Sequence, residues 1–490
     1  LTVRELAWID GFAAGIKKYV HIRAVDRVLI LPPNKVYKLN PTGLALLGAV
    51  LRGKRIKSFR ILHDPEKARQ VHEFFCDLRA FFHGCPEQPE QRRAVETTPF
   101  NFNYTLLPVL GEIALTYRCN NRCSFCYVGD TGAESPEARQ PGKERRRARP
   151  GGEPRAEELT TARVMPAAEE LTTARVKKII RIFKYRAGIP FFSFTGGEPL
   201  LRPDLEPLIR YAVRLGLRVN LITNGTLADR RRARALRKSG LTTAQVSVES
   251  PLPDIHDTLT GIPGSFSKTI EGIRNLTAAG ISVQTNTTLN RINARSIEGL
   301  PGFLKQLGIR RFSMNLYIPT GNRQARDELF FAYADTGTII EQVKKQARPL
   351  GLTFYWYSPL PHCYYNPLAA GLGNKSCAAM DGLLSVSPAG DVLPCSSYHS
   401  PMGNLLRRDF NEIWFSARAA YFKQKRFAPK ACAGCPDFTA CQSACPLYWE
   451  YAGTGELKHS AYTEELRRKA PPDPGGGCRA ARGGKPPATR

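Results

Sequence analysis

"TYRCNNRCSFCYVGD", residues 116–130, sets Cys119, Cys123 and Cys126 within eight positions, at the end of the strand-like run "EIALTY" (112–117). Zinc normally takes four protein ligands held tetrahedrally. A [4Fe–4S] cubane held by three thiolates instead leaves one iron open to an outside ligand. No fourth cysteine lies nearby in sequence, so the missing ligand becomes the feature to explain. A zinc knuckle with a remote fourth ligand is the competing reading.

Outward from that loop, strand-like and helix-like segments alternate. "FFSFT" (191–195), "RVNLIT" (218–223), "AQVSVE" (244–249), "SVQTNTTL" (282–289) and "RFSMNLYI" (311–318) read as strands. Between them lie helical patterns such as "TTARVKKIIRIFKYRAG", "PDLEPLIRYAVRLG" and "SFSKTIEGIRNLTAAG", several ending in the Gly that terminates helices. Six strands separated by helices predict parallel β/α units. The expected fold class is α/β, a partial (β/α)6 barrel with its chemistry at the C-terminal strand ends.

Cys119-x3-Cys123-x2-Cys126, with Phe125 before the last cysteine, resembles the signature of the radical SAM superfamily. The resemblance implies a three-cysteine [4Fe–4S] cluster whose open iron chelates the amino and carboxylate groups of S-adenosylmethionine (SAM). Reductive cleavage then yields a 5′-deoxyadenosyl radical that abstracts hydrogen from a substrate. "FTGGEP" (194–199) follows the second strand and is similar to the family's GGEP motif, at Gly196, Gly197, Glu198 and Pro199. Glycines there permit close backbone approach, and Glu198 supplies a carboxylate for the SAM ammonium. The same resemblance places Asn224 of "ITNGT" in the SAM pocket, and Ser247 and Glu249 of "VSVES" near the ribose, with Asn286 and Thr288 as weaker candidates. Many relatives carry Asp where this chain has Glu249.

A second cysteine field follows. "CAGCPDFTACQSAC" gives Cys432-x2-Cys435-x5-Cys441-x3-Cys445, and upstream stands Cys377-x12-Gly390-x4-Cys395. Together these resemble the SPASM domain, an extension that carries auxiliary [4Fe–4S] clusters; a zinc ribbon is the alternative. Family connectivity implies one cluster on Cys377, Cys395 and Cys445, with Cys363 as its fourth ligand. The other would use Cys432, Cys435 and Cys441 plus a downstream ligand, for which Cys478 is the candidate. Cys76 reads as a buried core thiol, and Cys85 is unassigned.

The expected organisation is 1–100 for an N-terminal domain and linker, 101–345 for the radical SAM core, 346–465 for the SPASM domain and 466–490 for a basic tail. "VLILPPNKVYKLNPTGLALLGAVLRG" resembles PqqD-like peptide chaperones, winged-helix folds that add a leader peptide as an extra strand; a generic capping domain is the alternative. Residues 131–170 interrupt the barrel rhythm with the repeat "AEELTTARV" (156–164 and 168–176) and read as a disordered insertion.

Net charge is +28, from 71 Lys and Arg against 43 Asp and Glu. Part of the excess sits in the Gly/Pro/Arg-rich stretches 139–155 and 468–490, so it argues for solvated segments more than for nucleic acid. An iron–sulfur regulator binding nucleic acid would leave GGEP and the strand-end residues unexplained. Apolar runs are too short to span a bilayer, and clustered thiols favour a reducing compartment over disulfides. The chain begins with Leu, so a longer reading frame could precede it.

The resulting expectation is a cytoplasmic radical SAM/SPASM enzyme acting on a ribosomally made peptide with a leader. Its electron donor would be a flavodoxin or ferredoxin. A tetrapyrrole, a cofactor precursor or a sulfatase active-site residue is the alternative substrate.

Overall fold

The computed structural model describes residues 4–31, 35–83, 105–128, 170–320 and 326–458. Most of the expected insertion and the whole basic tail, with Cys85 and Cys478, lie outside these residues.

The N-terminal unit is a three-stranded antiparallel sheet, β1 (His21–Arg23), β2 (Val28–Leu31) and β3 (Lys35–Lys38), in that order. Asn40 opens the helix Pro41–Leu51 by accepting the Gly43 N–H at 2.7 Å, with Pro41 in the first turn. The helix Pro65–His83 buries Ala68, Val71, Phe75 and Leu78 against the same core, with Cys76 half-buried on it. β1 and the helix Trp8–Ile16 were not foreseen; three residues are too short for a strand pattern.

The six barrel strands are β4 (Leu110–Ala114), β5 (Phe191–Thr195), β6 (Arg218–Thr223), β7 (Thr243–Ser247), β8 (Ser282–Leu289) and β9 (Arg311–Leu316). Each pairs in parallel with the next. Ile113, Phe192, Phe194, Val219 and Leu221 face the helices; the helix Thr173–Tyr185 presents Val176, Ile179, Ile180 and Phe183 to them. Phe183 packs edge-on to Phe192 at 5.6 Å. Gly111 in β4 makes room, because a Cβ there would stand 2.5 Å from the Phe183 ring.

The sheet continues past the barrel. β10 (Thr353–Trp356) pairs in parallel with β9, and β11 (Leu383–Val386) pairs in parallel with β4. β12 (Asp391–Leu393) and β13 (Gly403–Asn404) extend it antiparallel, to ten strands among the described residues. The cysteine-bearing segment is thus hydrogen-bonded onto the first barrel strand. Hydropathy could not reveal this, since short strands in a loop-rich region carry little period-2 signal.

A buried clamp ties the N-terminal unit to the barrel. Arg23 pairs bidentately with Asp26 at 2.7 and 2.9 Å and donates to the carbonyls of Leu107 and Pro108, while Asp26 accepts the Leu106 N–H.

Candidate functional site

The three-cysteine loop leaves β4 at the C-terminal end of the sheet and is held from three sides. Gly197 and Glu198 donate their N–H groups to the carbonyls of Thr116 and Arg118, at 2.8 and 2.9 Å. Asn224 donates to Asn120 at 2.9 Å, and Asn120 donates to Thr226 at 2.8 Å. On the third side, Arg122 and Ser124 donate to the carbonyls of Thr260 and Leu259, at 2.9 and 3.0 Å.

The GGEP glycines also answer to a contact within the chain. A Cβ on Gly196 would stand 2.1 Å from the Thr116 carbonyl oxygen, and one on Gly197 would stand 2.3 Å from that of Arg118. Gly196 also has φ +138°, which side chains rarely adopt. What approaches these glycines is the backbone of the cysteine loop itself. Gly261 repeats the device from the opposite side: φ is +67° and its Cβ would meet the Arg122 carbonyl at 2.6 Å. Sequence reading missed Thr260–Gly261; its signal was a Gly ending the helix Pro253–Thr260.

Glu198 is fully buried and accepts from the Leu200 N–H (2.9 Å), the Thr223 hydroxyl (2.7 Å) and the Asn224 N–H (2.8 Å). Burial pushes its carboxyl up to about 7 against these bonds. Three of about four acceptor directions are thus spent bracing the Pro199 and Asn224 turns. Glu249 is buried too; its carboxylate accepts the Thr288 N–H at 2.8 Å and its own N–H bonds to His256 Nδ1 at 3.2 Å. Desolvation raises it to about 8. Ser247 ends β7 opposite Asn286 of β8, whose amide donates to Asn315 at 2.6 Å.

The sulfurs suit ligation. The Asn121 N–H points at Cys119 Sγ (3.4 Å), as does the Asn224 amide (3.9 Å), contacts that favour a thiolate ligand. Burial pushes Cys119 up to about 11 and Cys123 well above its ordinary value, with neighbouring thiols opposing ionisation further, so a cationic centre is what would hold them as thiolates. Asn121 Oδ1 is buried without a partner beside them. Among the described residues no three such side chains converge closely enough for a single metal ion.

The second field forms two groups. Cys377, Cys395 and Cys445 are deeply set: burial pushes Cys445 up to about 12 and Cys395 well up, with charge on their neighbours in the trio adding to it. Cys432 and Cys435 stand nearer the surface, while Cys441 is as buried as Cys445. The residue before Cys363, His362, donates its N–H to Cys441 Sγ at 3.3 Å. His399, not foreseen, donates to the Tyr127 carbonyl at 2.5 Å and so joins this field to the first cysteine loop.

A family model for the radical SAM superfamily matches residues 113–300, and one for an iron–sulfur cluster-binding domain of SPASM type matches 377–436. The chain is 31% identical over 269 residues to a PqqA peptide cyclase of Streptomyces rochei, covering 53% of this chain and 71% of that one. It is 29% identical over 307 residues to an AdoMet-dependent heme synthase of Oleidesulfovibrio alaskensis, covering 58% and 78%. Among solved structures, Streptococcus suis SuiB superposes with a TM-score of 0.61 at 17% identity, over 88% of this chain and 95% of that one, a likeness of fold. No described helix is long and apolar enough to cross a membrane. The chain belongs to the radical SAM superfamily: it is an enzyme whose cofactors are a [4Fe–4S] cluster and SAM, with auxiliary iron–sulfur ligation in its SPASM domain.

Proposed function

We propose that this enzyme modifies a ribosomally made peptide. When bound, the cluster and SAM supply one-electron sulfonium cleavage and hydrogen abstraction. Cys119, Cys123 and Cys126 would hold that cluster; Gly196, Gly197, Glu198 and Pro199 shape the loop beside it, and Asn224, Ser247 and Glu249 border the SAM pocket.

The carrying observation is the inner face of the barrel sheet. It presents amides and hydroxyls in hydrogen-bonded register, with Glu112 of β4 as its carboxyl group among the described strands. Asn220 donates to Ser193 at 3.2 Å, Gln284 to Ser313 and Tyr357 at 3.0 and 2.8 Å, and Ser313 to Asn286 at 2.8 Å. Side-chain amides match the paired donor and acceptor of a peptide backbone. A tetrapyrrole bearing several carboxylates would call for Arg or Lys. On that face of the described barrel strands the cations are Arg218 and Arg311, each at a strand's first residue and so at the end away from the cysteine loop.

The N-terminal sheet supports the reading. β1 carries the Arg23 clamp, while β3 pairs only with β2 among the described residues, leaving an edge for a PqqD-like addition of a leader strand. A low-potential flavodoxin or ferredoxin would deliver the electron. Eleven free thiols among the described residues, with no disulfide, suit the cytoplasm.

The heme synthase relatives favour a second reading, a tetrapyrrole substrate. Anaerobic reconstitution with SAM, dithionite and the leader-bearing peptide encoded beside this chain separates the two. The proposal expects 5′-deoxyadenosine and a changed peptide mass. An unchanged peptide, with turnover on a carboxylated tetrapyrrole, would overturn it.

A further inference from the structure

The route from Cys441 to Cys445 runs through three consecutive residues in the left-handed region, Gln442 (φ +55°), Ser443 (+66°) and Ala444 (+69°). None is glycine, and each such residue costs about 1–2 kcal/mol. The turn is also buried: Gln442 and Ala444 are fully enclosed and Ser443 is 1% exposed. Gln442 Oε1 and Ser443 Oγ have no partner there, while the Ser443 carbonyl accepts from Trp449 Nε1 at 2.6 Å. Strain of this kind persists where the surroundings over-determine it, commonly at functional sites.

The turn separates two sets of sulfurs. Past it, buried Cys445 lies with buried Cys377 and half-buried Cys395; its N–H donates to the Tyr333 hydroxyl at 3.4 Å, and Lys425 donates to the Cys377 carbonyl at 2.7 Å. Before it, buried Cys441 follows the half-buried Cys432 and Cys435, which are linked by the Cys435 N–H to the Cys432 carbonyl at 3.2 Å. The chain at 361–365 enters this outer set. It turns through the Tyr364 N–H to the Pro361 carbonyl at 3.1 Å, and His362 donates to Cys441 Sγ at 3.3 Å.

We propose that Cys363 is the fourth thiolate of the Cys432–Cys435–Cys441 group. The outer cluster is then closed by a residue about seventy positions upstream rather than by one in the C-terminal tail. The buried set keeps Cys377, Cys395 and Cys445, three thiols among the described residues, as in the loop at the barrel mouth. The inference rests on the auxiliary-cluster reading of this domain.

The test uses the anaerobically reconstituted full chain, alkylated with iodoacetamide and mapped by mass spectrometry. Ligated thiolates are protected. Cys432→Ala breaks the outer group at a residue near the surface. Labelling of Cys363 should rise about tenfold in C432A and stay at the wild-type level in Cys377→Ala. Cys478→Ala should leave both the iron content and the Cys363 protection unchanged. Cys363 protected in C432A, or exposed only in C377A, overturns the inference, as does loss of one cluster's iron in C478A. If C377A does not fold, C432A alone decides. Should the wild-type chain label fully at all the cysteines of the field, with no iron beyond the first cluster, the auxiliary-cluster reading itself falls.

Discussion

The first cysteine loop and the second cysteine field solve one problem in opposite ways. In the first, three thiols come from a single eight-residue stretch, and the fold's work is to grip that stretch by its backbone. In the second, thiols arrive from separate segments, at 363, 377, 395 and 432–445, and a strained turn sorts them. A local loop needs neighbours with no side chains in the way, whereas a dispersed set needs a scaffold that delivers each sulfur. The glycines at 196, 197 and 261 belong to the first device and the left-handed run at 442–444 to the second.

The comparison can be broken first at its chemistry. Cys126→Ala should abolish 5′-deoxyadenosine formation and remove one cluster's worth of iron while the auxiliary iron stays; loss of all iron would mean the two regions are not independent. Next, Gly197→Ala should lower turnover about a hundredfold, since about 1 Å of displacement can cost that much. The new Cβ would stand 2.3 Å from a backbone oxygen that cannot swing aside. SAM cleavage rate and the cluster's EPR spectrum read this out, and near wild-type behaviour would remove the argument for backbone gripping.

A third prediction concerns the docked N-terminal unit. Arg23→Ala leaves Asp26, with 2% of its side chain exposed, as a buried charge without its partner. Urea unfolding should show about 3–5 kcal/mol lost, and R23A/D26A should recover part of it.

The smallest effect is one of pH. Glu249 titrates near 8 in the folded chain against an ordinary 4.5. The folded state therefore holds that proton more tightly, so the contribution is full below about 4.5 and is lost as pH rises towards about 8. Melting temperature of the metal-free chain should fall across that window, and Glu249→Gln should flatten the fall. An unchanged slope would leave Glu198, raised to about 7, as the source.

Much of this was legible in advance because it is local. β5, β6 and β8 begin and end at the residues the alternating pattern marked, and the cysteine spacing announced its own chemistry. Other features were hidden because they join residues far apart. Beside its expected place near the SAM ammonium, Glu198 braces Thr223 and Asn224, a pairing that exists only once β5 and β6 lie side by side. His399 reaching Tyr127 and β11 zipping onto β4 link positions more than 250 residues apart.

From its own order of residues the chain determined the six β/α units, the three-thiol loop at the end of the first strand and the presence of a second thiol field. Each rests on short-range spacing or periodicity, and these survive any arrangement of the remainder. Tertiary structure alone decided which backbone the glycines admit, which donors reach Glu198 and Glu249, and which sulfur the His362 N–H meets. Those outcomes depend on distances through space, which sequence separation does not encode.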